Sequence, residues 1–211
     1  MDTEQKLYPA SRNPLSLKPA RALPREIAVI GAGTIGPDIG YYLKAALPNI
    51  KLYLVDVVEE PLKNAEKRIT GYVQKATEKR KMKEDQARKV LENITYTMDY
   101  DHIKNCDLVI EAATENIPLK QKIFDTVENI VGEDTIITSN TSSIPADRIF
   151  SAMKKPERTT ITHFFAPAWR SLPVEVIMVS SPTMFSTVSK IFCFKGMFSV
   201  AASITRSQFL M

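Results

Sequence analysis

Glu26-Ile27-Ala28-Val29-Ile30-Gly31-Ala32-Gly33-Thr34-Ile35-Gly36-Pro37-Asp38-Ile39-Gly40 is the stretch that decides the fold. A short apolar run, Ile27 to Ile30, meets Gly31, Gly33 and Gly36 at G-x-G-x-x-G spacing, the pattern of a strand turning tightly into a helix. A second apolar run, Lys51 to Val55, ends on Asp56, 20 positions after Gly36. That is the separation at which an acidic side chain meets the ribose of a bound dinucleotide. Each part has a physical task. Gly31 permits the turn, Gly33 lets the backbone approach a pyrophosphate, and Gly36 lets the helix pack close to the sheet. Thr34 and Ile35 complete the turn, and the helix N-terminus offers N–H groups to phosphates. Asp56 can accept from ribose hydroxyls, and its charge repels a 2′-phosphate, so the motif favours NAD over NADP.

Outward from this unit, strand and helix signals alternate, which predicts an α/β fold with a doubly wound, mostly parallel Rossmann-type sheet and helices on both faces. The first helix is predicted over Ile35–Ala46, stopping near Pro48. Leu62, Ala65, Ile69, Tyr72, Val73 and Ala76 recur at helical spacing, and mark a long amphipathic helix. A short helix around Ala87–Ile94 leads into a strand near Ile94–Thr97. Asp107–Ala112 reads as the fourth strand, and a helix follows with Pro118 in its first turn. Thr135–Thr138, Thr159–Phe164 and Val174–Val179 read as strands, and Pro145–Met153 as a short helix. Phe185, Val188, Ile191 and Phe192 fall at helical spacing within Pro182–Lys195, and a last apolar run covers Phe198–Ile204. Residues 1–24 carry four prolines and no apolar segment of signal type, and are expected to be a flexible leader.

The composition is that of an ordinary globular chain: 211 residues, 44% hydrophobic, 25% charged, net charge +4. This balance gives no case for nucleic acid, and no apolar run is long enough to cross a bilayer. Residues 63–89 hold ten Lys/Arg against four Asp/Glu, a basic stretch suited to an acidic ligand or to a solvated helix face. Two cysteines, Cys106 and Cys193, without framework spacing, suit a reducing, cytoplasmic setting and no thiolate metal site.

Only two histidines compete for the part of general base. His102 lies in the polar connection Asp101-His102-Ile103-Lys104 and reads as a surface residue. His163 ends an apolar strand, where ligands bind in open α/β sheets. Glu175 follows within Leu172-Pro173-Val174-Glu175-Val176-Ile177. A carboxylate in such a strand needs a partner, because burying an unpaired charge is costly, and His163 can be that partner. The cluster Ser139-Asn140-Thr141-Ser142-Ser143 suits both helix capping and substrate contact.

Four ordered motifs now stand together: Val29-Ile30-Gly31-Ala32-Gly33-Thr34-Ile35-Gly36, Glu111-Ala112-Ala113-Thr114-Glu115-Asn116, Ser139-Asn140-Thr141-Ser142-Ser143-Ile144, and His163-Phe164-Phe165-Ala166-Pro167 leading to Glu175. In order and separation they resemble the amino-terminal domain of the 3-hydroxyacyl-CoA dehydrogenase family. The resemblance implies NAD as cofactor and an acyl-CoA substrate, with His163 as general base, Glu175 orienting it and Ser142 holding the substrate 3-oxygen. It implies that Glu115, Lys120 and Asn140 lie against the cofactor, and that Lys79 meets CoA phosphates.

The chain departs from the family in three places. Ala166 replaces an Asn that touches the nicotinamide side. The family's Asp-x-Pro-Gly-Phe-x-x-Asn-Arg segment is absent. Residues 25–204 are expected to be the NAD-binding domain and 205–211 a truncated tail, with the family's helical, dimer-forming carboxyl-terminal domain missing. Association through the apolar carboxyl-terminal region, as a homo-oligomer, is expected in its place.

Overall fold

The computed structural model describes residues 22–169 together with the strands Val174–Met178 and Val188–Phe192. The leader over residues 1–21, the apolar run 198–204 and the tail 205–211 lie outside the described residues. The strands are Glu26–Ile30 (β1), Lys51–Val55 (β2), Ile94–Thr97 (β3), Leu108–Glu111 (β4), Ile136–Ser139 (β5), Thr159–Phe164 (β6), Val174–Met178 (β7) and Val188–Phe192 (β8). The helices are Gly36–Ala46 (α1), Glu59–Glu78 (α2), Glu84–Leu91 (α3), Ile117–Ile130 (α4) and Ala146–Phe150 (α5).

One sheet holds all the strands in the order β3-β2-β1-β4-β5-β6-β7-β8. The six from β3 to β6 run parallel, and β7 and β8 are added antiparallel. The chain order reverses between β1 and β4. A crevice therefore opens at the carboxyl ends of these strands, where α/β sheets bind ligands.

The alternation of β1 explains the layering. Ile27 and Val29 face one core, shared with Ile39 and Leu43 of α1, Leu52 and Leu54 of β2, and Ile69 and Val73 of α2. Ala28 and Ile30 face the other, shared with Phe124 and Val127 of α4 and Ile149 and Phe150 of α5. A central strand covered on both sides must be apolar at every position, and Ile27–Ile30 is at most 2% exposed. At the head of α4, the Asn116 side chain accepts the N–H of Leu119 at 2.9 Å, with Pro118 just inside the first turn. Among the described residues no helix is long and apolar enough to cross a membrane, and no group of His, Cys, Asp and Glu is placed to hold a metal ion.

The structure corrects one element. Val188–Phe192, where helical spacing was expected, is a strand pairing antiparallel with β7. A run this short fits both periods. The outer edge of β7 offers a row of backbone donors and acceptors that a strand satisfies and a helix does not.

Candidate active site

The glycine turn lies at the carboxyl end of β1. Gly31 has φ +104°, and a Cβ there would meet the Ala112 carbonyl oxygen at 2.7 Å. Its own N–H donates to the Val55 carbonyl at 2.7 Å, locking the turn to β2. A Cβ on Gly36 would overlap the carbonyl oxygen of Gly31, so the start of α1 sits directly on the turn. A Cβ on Gly33 would find nothing within 4 Å. No protein atom demands glycine there, and the open space leaves room for the close approach of a ligand. Thr34 is exposed, Ile35 is the N-cap of α1, and no side chain caps that helix. Pro37 brings no N–H to its first turn, and the N–H groups at this helix end have no side-chain cap, as suits an anion there.

Asp56 extends from the end of β2 beside this turn. One carboxylate oxygen accepts the Ala32 N–H at 2.8 Å and the other the Val58 N–H at 3.1 Å. These bonds fix the carboxylate on the rim, half-buried, with lone pairs remaining for ribose hydroxyls. The residues present thus fit a dinucleotide: a turn with room at Gly33, an uncapped helix end and an oriented acid.

Beneath the crevice lies a network whose hub, Glu111, closes β4 with no exposure. Lys120 of α4, 1% exposed, donates to both Glu111 oxygens at 2.7 and 2.9 Å and to the Ala113 carbonyl at 3.3 Å. Ser139 Oγ at the end of β5 and the Ala113 N–H also donate to Glu111. Lys120 lies 3.6 Å from Glu115. Glu115 in turn accepts from Thr141 Oγ1 at 3.0 Å and from the Ser142 N–H at 3.3 Å. A buried ion pair thus connects through one exposed carboxylate to the serine turn. Burial, and then the charges of Asp56 and Glu111, push the Tyr100 hydroxyl above its ordinary range.

His163 is half-buried near the end of β6, its ring centroid 4.8 Å from that of Phe165. The neighbouring Phe164 N–H donates to Asn140 Oδ1 at 2.8 Å, which draws β6 to the serine turn. Across the antiparallel ladder, His163 pairs in register with Glu175. His102 is exposed and stacks on Tyr53 at 6.3 Å, so His163 is the histidine at this edge.

Gly31, Gly33, Thr34, Ile35, Gly36, Asp56, Glu115, Asn140, Ser142 and His163 therefore gather at the carboxyl edge of the sheet. Lys120 lies below it, with its ammonium spent on Glu111, Ala113 and Glu115. Lys79 is exposed at the far end of α2, whose 20 residues rise ~30 Å from the Asp56 side. Sequence reasoning gave no role to Glu111, Thr141 or Tyr100. A glutamate closing a fully apolar strand was the available signal for the first of these. Ala166 is exposed, and the Trp169 ring is stacked on Tyr72 at 5.1 Å.

Comparison with known proteins agrees with this arrangement. Residues 26–201 match the family described as 3-hydroxyacyl-CoA dehydrogenase, NAD binding domain. The fatty acid oxidation complex subunit alpha of Colwellia psychrerythraea is 36% identical over 150 residues, 71% of this chain and 20% of that protein. The corresponding subunit of Idiomarina loihiensis is 33% identical over 165 residues, 77% of this chain and 23% of its own length. Among solved structures, the 3-hydroxybutyryl-CoA dehydrogenase of Escherichia coli has TM-score 0.71 and 30% identity, over 74% of this chain and 33% of that one. The (S)-3-hydroxybutyryl-CoA dehydrogenase of Ralstonia eutropha has TM-score 0.69 and 32% identity, over 74% of this chain and 54% of that one. The chain spans about a fifth of the curated relatives it matches. With the profile covering most of its length, the chain belongs to the 3-hydroxyacyl-CoA dehydrogenase family, in that family's NAD-binding domain.

Proposed function

We propose that the chain interconverts L-3-hydroxyacyl-CoA and 3-oxoacyl-CoA as the cofactor-handling part of an NAD-dependent dehydrogenase of fatty-acid oxidation type. When bound, NAD supplies the hydride acceptor for C3 of the substrate. His163 takes the proton of the 3-hydroxyl as the C–O bond gains double-bond character, and returns it in the reverse direction. Ser142, exposed on the turn held by Glu115, holds the 3-oxygen beside the imidazole. Glu175, opposite His163 in the backbone register, is the carboxylate that orients the imidazole and stabilises its charged form. Asn140 and Glu115 line the cofactor side, Lys120 supports them from below, and Lys79 takes a CoA phosphate. The observation that carries this reading is the meeting of three features at one sheet edge: the Asp56-rimmed glycine turn, the Glu115-held serine turn and His163.

A cytoplasmic setting is part of the proposal. Cys106 is a buried free thiol, pushed up to about 12 by burial and by the charges of Glu26 and Asp107, and so inert. Association of like copies through the carboxyl-terminal region is the remaining part.

The test is reduction of acetoacetyl-CoA by NADH, followed at the NADH absorbance. The unaltered chain is expected to turn over, and His163→Gln to lose turnover while keeping NADH affinity. Full activity in that variant removes His163 as the base. A second reading, a binding module without turnover, is favoured by exposed Ala166, which has no side-chain donor for the nicotinamide end. Tight NADH binding with no turnover at high protein concentration selects it.

A further inference from the structure

The phosphate turn works through backbone N–H groups and the positive end of α1, and both favour an anion. Asp38 cuts against this. It lies in the first turn of α1, two residues past Gly36, with 6% of its side chain exposed. Its carboxylate places a negative charge beside the position meant for another. Burial pushes the Asp38 carboxyl up, against the lowering effects of Tyr72 and Arg68.

Arg68, from the facing side of α2, meets this charge. Its Nη2 lies 2.7 Å from Asp38 Oδ1, and its Nε donates to the Tyr72 hydroxyl at 2.8 Å. The Tyr72 hydroxyl donates in turn to Asp38 Oδ1 at 2.9 Å. The other terminal nitrogen, Nη1, donates to the Thr34 carbonyl at 2.8 Å, inside the glycine turn itself. In a trans peptide the C=O and the following N–H point in opposite directions. Pinning the Thr34 carbonyl toward α2 therefore aims the Ile35 N–H away from α2. The planar fork of arginine makes both contacts at once, which a lysine point charge does not reproduce.

We propose that Arg68 is a positioning residue of the dinucleotide site, aiming the Ile35 N–H at the pyrophosphate and cancelling the charge of Asp38. The inference rests on the cofactor reading above and adds to it a residue outside the G-x-G-x-x-G fingerprint. It makes α2 a working part of phosphate recognition rather than a cover for the sheet.

The experiment measures NADH affinity of the full chain through the emission of bound NADH, alongside the unfolding midpoint of each variant. Arg68→Met is expected to weaken NADH ~10-fold or more. Adding Asp38→Asn to that variant is expected to recover at least ~3-fold, because the uncompensated carboxylate is gone. A purely structural role for Arg68 predicts instead that NADH affinity changes only as far as the unfolding midpoint does, in the single and the double variant alike. Arg68→Lys, which keeps the charge without the fork, is expected to fall between, and decides the matter should Arg68→Met not fold. NADH affinity of Arg68→Met or Arg68→Lys equal to that of the unaltered chain overturns the inference, as does a double variant without recovery. An unaltered chain that binds no NADH overturns the cofactor reading itself, and this inference with it.

Discussion

Asn140 Oδ1 accepts the backbone N–H of Phe164 at 2.8 Å, tying the turn after β5 to the strand that carries His163. The bond bridges 24 residues of sequence and is part-buried. Asn140→Leu leaves that N–H without an acceptor, which costs ~1–3 kcal/mol. Urea unfolding should show the loss, and acetoacetyl-CoA turnover should fall by more than stability alone accounts for, since His163 is the adjacent residue. Asn140→Asp keeps the acceptor and should keep most of the stability. Equal midpoints for Asn140→Leu and the unaltered chain would remove the tie.

The three glycines of the turn separate into two kinds. An alanine at Gly36 would drive its Cβ into the Gly31 carbonyl, so Gly36→Ala should lower stability and NADH binding together. An alanine at Gly33 meets nothing within 4 Å, so Gly33→Ala should unfold at an unchanged midpoint yet bind NADH ~10-fold or more weakly. The informative quantity is the contrast. Loss of stability in Gly33→Ala would mean that the turn is tighter than its geometry indicates.

The Glu111–Lys120 pair is expected to behave as a buried ion pair. Lys120→Met leaves the Glu111 carboxylate buried and uncompensated, for ~3–5 kcal/mol. Combining it with Glu111→Gln should recover part of the loss, because no charge is then stranded. Denaturant titrations of the single and double variants form the cycle. A double variant no better than Lys120→Met would show that the amide cannot serve Ser139 and the Ala113 N–H as Glu111 does.

What the sequence made legible follows from how each constraint is encoded. The glycine turn and the alternation of strand and helix are local matters, and Asp56 follows the turn at a set separation of 20 positions along one strand–helix–strand unit. An acid in an apolar strand needs a neighbour, and His163 at the end of the strand before it was the candidate. That β7 runs antiparallel, which sets Glu175 opposite His163 in the backbone register, was not legible, because strand direction is a tertiary matter. Glu111 was visible as an acid closing an apolar strand, but its cation, Lys120, sits in the next helix, and only folding shows that they meet. The pairing of Asp38 with Arg68 joins two helices across a strand and has no local signature at all. Val188–Phe192 was misread because its period is short and its conformation is set by the edge of β7, a tertiary neighbour that no window of sequence contains.

Lys44 gives the fold a pH dependence whose sign can be worked out. It is fully buried in the last turn of α1 and donates to the carbonyls of Pro48 at 2.7 Å and Ile50 at 2.9 Å. Burial lowers its pKa from 10.5 to about 8, partly offset by Glu92. Between these values the unfolded chain holds a proton that the folded chain has released, so stability rises with pH above about 8. The slope from this one group is at most ~1.4 kcal/mol per pH unit. The buried Cys106 thiol acts the other way, from 9.0 in its ordinary state to about 12. It ionises only in the unfolded chain above pH 9, and Tyr53, raised from 10.0 to about 12, follows. The expected profile climbs from pH 8 to 9 and flattens beyond. Lys44→Met should abolish the climb, and Cys106→Ala should extend it. Urea unfolding at half-unit pH steps reads both, and a climb that survives in Lys44→Met would assign the titration to another group.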